Sequence, residues 1–472
     1  MDLIIKSDRV VTPHGVGEYE IGIQGGRIVS VGVPGTVAQE AGRVIDARGK
    51  IVVPGGVEPH DHASFKIPQE PGQIAQRPPA ASRACAFGGT TTVVEFAISL
   101  PSRDPLTAVA EKKEEWEGNS YVDYAFHCTL PGDPPFKYLE QLPDLISQGI
   151  SSIKCYTRGK SPMGDTPSQV DDGNLYEVMK IVSKQRGIMA IHAENDAIIN
   201  YMREKLKREG RVGFENLHLV HNNLSEDIEF RKVIRLAEQA GAAVYFVHVS
   251  AKEGVAAVAE ARAKGLPIYG ETLHNYTAFT CEKYKEPDGV KYHTYPSLKY
   301  PEDREALWAA VLDGRLSTVG TDDVTTRYEV KVRGKTIFDA RGGHNGMETR
   351  VPYVFSEGFS KGKMSLQRFV DVTSTNPAKI LGMYPKKGAI APGSDADVVI
   401  MDPDIRKKLR VSDLHADSDY SIWEGWEFHG WPIVTILRGK VIVEEGKLMG
   451  ALSDGKFVER KIAQEVLDRP AC

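Results

Sequence analysis

Between about residue 54 and residue 322 the chain alternates short apolar runs with stretches of helical length. This alternation restricts its fold more than any other feature. Strands are expected over 57–62, 91–96, 122–129, 149–156, 188–194, 242–249, 266–272 and 316–322, with helices between them over 105–116, 174–186, 226–240, 251–264 and 302–313. Eight β-then-α units predict an α/β fold with a parallel (β/α)8 barrel, because each helical crossover covers one face of a parallel sheet. An open doubly wound sheet is the competing architecture, but no Gly-x-Gly-x-x-Gly turn follows the first strand.

The two ends read differently. Residues 1 to about 53 hold short strands (Leu3-Ile4-Ile5, Glu20-Ile21-Gly22-Ile23, Arg27 to Val31, Arg43-Val44-Ile45) bounded by Gly, Pro and Asp, with a hairpin turn at Gln24-Gly25-Gly26-Arg27. A second strand-rich group covers 396–401, 432–437 and 441–443. A small β-sandwich assembled from both termini is therefore expected. Its parts are residues 1–53 and 385–452, the barrel spans 54–384, and a polar tail, helical or mobile, occupies 453–472.

Composition removes several function classes. The 472 residues suffice for a barrel with an accessory domain. A net charge of -5 gives no basic surface for nucleic acid or anionic lipid. No apolar run spans a bilayer, and Met1 to Lys6 lacks a signal-peptide pattern. The 5 cysteines are scattered and odd in number, which fits a reduced, cytoplasmic protein without a disulfide framework.

Reactive residues of such a barrel sit at the C-terminal ends of its strands. The first strand ends Glu58-Pro59-His60-Asp61-His62, and period two turns both imidazoles to one side. Later strand ends supply Lys154, His192, His248 and Asp322. Taken singly, each histidine is more often a structural residue. Together at one mouth, they point to a metal centre. A lysine ending an interior strand is costly if charged and unpaired. It is either a Schiff-base nucleophile or a carbamate, made by adding CO2, that offers anionic oxygens to two cations. The four histidines favour the carbamate.

Around these residues the chain resembles the hydantoinase and dihydropyrimidinase branch of the amidohydrolase superfamily, over about residues 1–450. The likeness includes Ala86 to Val94 (Ala-Phe-Gly-Gly-Thr-Thr-Thr-Val-Val), Val122 to His127, Gly270-Glu271-Thr272, Ala306 to Ala310, Glu348-Thr349-Arg350-Val351-Pro352, Ser374-Thr375-Asn376-Pro377-Ala378-Lys379-Ile380, and Lys387 to Asp397. It implies a hydrolase of non-peptide C–N bonds with two divalent metals (Zn, or Mn, Co or Fe). One would be held by His60, His62, Asp322 and carboxylated Lys154, the other by Lys154, His192 and His248. It also implies a small-molecule substrate and a homo-oligomer, tetramer or hexamer. Asp322 would carry the proton from the attacking water to the leaving group. Relatives that serve as non-enzymatic scaffolds have lost ligands, whereas this chain keeps all six.

The departures are local. Where the family places a substrate-contacting tyrosine five residues after the lysine, this chain has Gly159. Where it has Ser-Asp-His-Cys, this chain has Thr321-Asp322-Asp323-Val324. Its Asn-Gly-x-Pro-Gly segment becomes Gly342-Gly343-His344-Asn345-Gly346. These changes resemble those of phenylurea hydrolases and molinate hydrolase. An open-chain urea, carbamate or thiocarbamate, cut at a C–N or C–S bond, is therefore the expected substrate, with a cyclic amide as the alternative and a non-catalytic scaffold as the third reading. Arg158, Gly159, His344 and Asn345 are the expected substrate contacts. His274, just past the seventh strand, is the expected oxyanion donor, against the reading of a solvated loop histidine. His127 is expected in the core or supporting the metal ligands.

Overall fold

The computed structural model describes residues 1–37, 40–67, 72–159 and 168–472. Five strands open the chain: β1 (Leu3–Thr12), β2 (Gly15–Gln24), β3 (Arg27–Gly32), β4 (Arg43–Asp46) and β5 (Ile51–Pro54). Eight follow in the middle: β6 (Gly56–Asp61), β7 (Thr90–Ile98), β8 (Asp123–Thr129), β9 (Ser152–Tyr156), β10 (Ile188–His192), β11 (Val244–Phe246), β12 (Ile268–Leu273) and β13 (Thr318–Gly320). Four close the chain: β14 (Val398–Lys408), β15 (Glu427–Leu437), β16 (Lys440–Glu444) and β17 (Lys447–Leu448).

The middle eight form one parallel sheet in the order β6 to β13. Its ends meet beyond the strands. Asp61 bridges Asp323 in parallel register, and the Thr321 amide donates to Glu58 Oε1 at 3.1 Å. The expected (β/α)8 barrel is therefore present. The sequence-derived helices lie at Pro105–Trp116, Asp172–Lys184, Asn223–Ala240, Lys252–Ala263 and Pro301–Asp313. Several begin at side-chain caps that satisfy otherwise orphaned amides: Asp104 accepts from Thr107, Asp171 from Asn174, and Asn222 from Ser225. Among the described helices of ten residues or more, Pro78–Phe87 and Asp196–Arg208 lie outside the sequence-derived stretches.

The terminal strands join in one nine-stranded sheet running β17-β16-β15-β14-β5-β1-β2-β3, with β4 also on β1. Ile5, Ile21 and Ile28 from one end share a core with Val398, Ile400 and Ile436 from the other. Past Ser453 the chain does not dangle. Val458, Ile462 and Val466 are buried against Val94, Ala125, Ala190 and Tyr269 at the N-terminal end of the barrel, and the Tyr269 hydroxyl donates to the Val466 carbonyl at 2.7 Å. This segment covers part of the barrel floor with apolar side chains, opposite the mouth where reactive residues of such a barrel sit.

Candidate metal and active site

At the C-terminal mouth, His60, His62 and Asp322 present ligand atoms that all lie within 4.8 Å of one another. Both imidazole Nε2 atoms are 3.0 Å from the same oxygen, Asp322 Oδ1. The other oxygen, Oδ2, accepts from the Thr294 hydroxyl at 3.2 Å. The His60 and His248 ring centres are 5.5 Å apart, and those of His192 and His248 4.5 Å apart. Lys154 is buried between Phe96 and Tyr156, its Nζ 5.3 and 4.8 Å from their ring centres. No salt bridge holds it among the described residues. All six strand-end residues thus converge on one mouth. His248 (φ 46°) and Asp322 (φ 51°) sit in the left-handed region, which non-glycine residues rarely adopt. Backbone strain of this kind collects where a side chain must be aimed.

Carboxylates behind the histidines fix their orientation. Glu271 Oε1 lies 2.7 Å from His60 Nδ1 and accepts the His248 amide at 3.1 Å, while its other oxygen accepts the Tyr245 hydroxyl at 2.7 Å. This leaves His60 Nε2 for the mouth. Glu194 lies 2.8 Å from His192 Nε2 and 2.8 Å from His221 Nδ1, so His192 Nδ1 is the nitrogen without a partner on that side. Carboxylate–imidazole pairs of this kind set the tautomer and orientation of metal-binding histidines. His127 plays a supporting part: its Nε2 donates to the Pro59 carbonyl at 2.9 Å and Ser152 holds its Nδ1 at 2.7 Å, bracing the first strand.

Burial favours neutral donors at most of the site, holding His62, His192 and His248 below the usual imidazole range. Burial alone would raise the Asp322 pKa, but His60 and His62 hold it well below the usual carboxylate range. Burial lowers that of His60, yet Glu271 and Asp322 carry it up to about 9. Burial brings Lys154 down to about 7. Imidazoles sharing one carboxylate, with a buried amine beside them, form a donor set that fits a transition-type divalent cation.

The remaining expectations fare unevenly. Arg158 Nε lies 2.8 Å from Glu194 Oε2 and its guanidinium sits 5.0 Å over the Tyr295 ring. It therefore neutralises the carboxylate behind His192. Gly159 has φ 77°, a conformation that a tyrosine would adopt only with strain, and its amide donates to Asp196 at 2.7 Å. A Cβ at Gly342 would lie 2.5 Å from the Tyr295 ring, so that glycine is a packing requirement. His344 Nδ1 meets the Asn345 carbonyl at 3.1 Å, and the Asn345 amide donates to the Tyr420 carbonyl. The structure does not bring His274 to the six ligand-type residues. Its ring is fully buried, 4.7 Å from Trp423 in a near-parallel stack, with Nε2 toward Thr349 Oγ1 at 3.2 Å. A position one residue past a strand end does not say which way the side chain turns, and the apolar stack decides it here. Sequence reasoning assigned no role to Glu271 or Glu194. The usable signal was their place on or beside ligand-bearing strands, Glu194 two residues after His192.

A parallel barrel with imidazoles, a carboxylate and a lysine at its mouth defines a barrel hydrolase of the metal-dependent kind. Residues 51–442 match the model of the Amidohydrolase family. The chain belongs to that family, whose hydrolases act on carbon–nitrogen bonds other than peptide bonds. It is 35% identical over 470 residues to the D-hydantoinase of Rhizobium radiobacter, covering 98% of this chain and 99% of that one. It is 30% identical to the L-hydantoinase of Paenarthrobacter aurescens over 98% of both. The crystal structure of dihydropyrimidinase from Brevibacillus agri superposes with a TM-score of 0.92 at 32% identity, covering 98% of this chain and all of that one. These matches place the chain in the hydantoinase and dihydropyrimidinase branch.

They also overturn the expected substrate. An open-chain urea, carbamate or thiocarbamate, by likeness to phenylurea and molinate hydrolases, rested on Gly159 and Gly342. End-to-end relatives are instead named for hydantoins and dihydropyrimidines. In the structure the two glycines answer to backbone conformation and to the Tyr295 ring.

Proposed function

We propose that the protein opens a cyclic amide, a hydantoin or dihydropyrimidine ring, by hydrolysis of its C–N bond. The convergence of His60, His62 and Asp322, together with Lys154, His192 and His248, on one barrel mouth carries this reading. The full-length likeness to hydantoinases supports the ring substrate. His60, His62 and Asp322 would hold one divalent cation and His192 and His248 another, with Lys154 as a carbamate between them. Bound there, such cations supply Lewis acidity that acidifies water and polarises a carbonyl. Asp322 takes a proton from the attacking water and delivers it to the ring nitrogen as the C–N bond breaks. The Thr294 hydroxyl donates to Oδ2 and keeps that carboxylate aimed until it does so. Lys154 has the setting a carbamate needs: it is buried, no ion pair holds it among the described residues, and it interacts electrostatically with His62, His192 and His248.

A cytoplasmic setting agrees with five unpaired cysteines and with the absence of any described helix long and apolar enough to cross a membrane. Leu224 and Ile228, exposed one turn apart on the 223–240 helix, give a homo-oligomer an apolar contact. The test is turnover of hydantoin, dihydrouracil, a phenylurea and a thiocarbamate by the metal-loaded protein. The ring substrates should show the higher kcat/KM. Preference for either open-chain compound would contradict the proposal.

A further inference from the structure

Opening an amide places negative charge on the carbonyl oxygen as water adds to its carbon, and a preorganised donor beside that oxygen lowers the barrier. Most polar groups around the mouth are already committed. The Tyr245 hydroxyl serves Glu271, Thr157 serves the His192 and Glu194 carbonyls, and Thr321 serves the His60 carbonyl. Thr294 serves Asp322, and Arg158 serves Glu194. His344, once Nδ1–H donates to the Asn345 carbonyl, offers only a bare acceptor at Nε2.

Tyr156 is different. It lies two residues after Lys154 on β9, so period two turns both side chains to the same side. Its ring centre is 4.8 Å from Lys154 Nζ and 5.1 Å from that of His192. The side chain is half-buried, and no described residue takes its hydroxyl in a hydrogen bond. A phenol with a packed ring and an uncommitted O–H thus stands beside two of the six ligand-type residues, where a substrate carbonyl would be polarised.

We propose that the Tyr156 hydroxyl is the catalytic hydrogen-bond donor to the substrate carbonyl oxygen, a role that rests on the cyclic-amide reading above. The O–H bond stays intact throughout. It strengthens its hydrogen bond as the oxygen gains charge and relaxes when the ring C–N bond breaks.

The experiment compares metal-loaded wild type with Tyr156→Phe, which keeps the ring and its packing. Measured are kcat and KM on hydantoin and dihydrouracil, metal content, melting temperature, and calorimetric affinity for a cyclic phosphonamidate whose P–O⁻ mimics the oxyanion. The variant should lose about 10²–10³-fold in kcat and bind the phosphonamidate about 10²-fold more weakly, with KM changed less than about threefold. Metal content and melting temperature should stay at wild-type values. A kcat within about threefold of wild type, or a loss that tracks missing metal or unfolding, overturns the proposal. If wild type opens neither ring, the cyclic-amide reading itself fails and takes this inference with it. If wild type is active and Tyr156→Phe equally so, only the role of Tyr156 falls.

Discussion

Among the described residues, two buried clusters have metal-ligand spacing, one at each end of the barrel. At the mouth stand His60, His62 and Asp322; at the floor stand Asp123, Asp395 and Asp397, whose oxygens are just as close together. The floor cluster already contains its cations. Lys387 Nζ reaches Asp123 at 2.5 Å, Asp395 at 2.9 Å and Asp397 at 2.6 Å, and Arg438 pairs with Asp123. It ties the start of β8 to the chain entering β14, so it joins the barrel to the terminal sheet. The mouth cluster has no such partner among the described residues, and its donors are imidazoles held in one tautomer by carboxylates. Proximity of ligand atoms does not define a metal site. The donor type, and whether the charge is already balanced, separate a reactive centre from an ion-pair knot.

Exchanging the roles of the two lysines breaks the comparison most sharply. Lys154→Ala should lower kcat by about 10³-fold or more and reduce the metal content, while leaving the fold intact. Turnover and elemental analysis check this, and bicarbonate with a short-chain acid should restore part of the activity. Lys387→Met should do the reverse. Removing one partner of a buried ion cluster costs about 3–5 kcal/mol, read from denaturant unfolding, with metal content unchanged in the folded fraction.

The floor cluster also has a pH signature. Burial lowers the Lys387 pKa, but Asp397, Asp123 and Asp395 raise it by more, so it sits above its ordinary value of 10.5. Its contribution is complete below pH 10.5 and is lost as pH rises through the elevated folded value. Alkaline melting curves should fall more steeply for wild type than for Lys387→Met. The smallest effect on turnover is expected at His274. Loss of its stack on Trp423 should cost about 1–3 kcal/mol of stability while kcat moves less than about threefold, as melting and steady-state kinetics would show.

The barrel was legible because hydrophobic period and strand-end chemistry are both local. The run from Met189 to His192 announces a buried strand and its candidate ligand together. The convergence of six residues followed from topology alone. What stayed hidden depended on long-range packing. Gly342 could not be understood without Tyr295, 47 residues earlier in the chain, nor His274 without Trp423. The helix Pro78–Phe87 opens with two prolines and shows a weak apolar stripe because its surroundings bury it on most sides. The anchoring of residues past Ser453 was missed for a similar reason. Val458, Ile462 and Val466 are spread four residues apart through a largely charged stretch, and only the barrel floor shows what they fill.

The most direct test of the account is the metal stoichiometry of the purified protein beside two variants, His60→Ala and Asp395→Asn. Wild type should bind two divalent ions per chain, with turnover of dihydrouracil or hydantoin rising as they are added. His60→Ala should bind fewer and lose that turnover, and Asp395→Asn should match wild type in both. Loss of metal in Asp395→Asn with full occupancy in His60→Ala, or a wild-type protein that binds none, would contradict it.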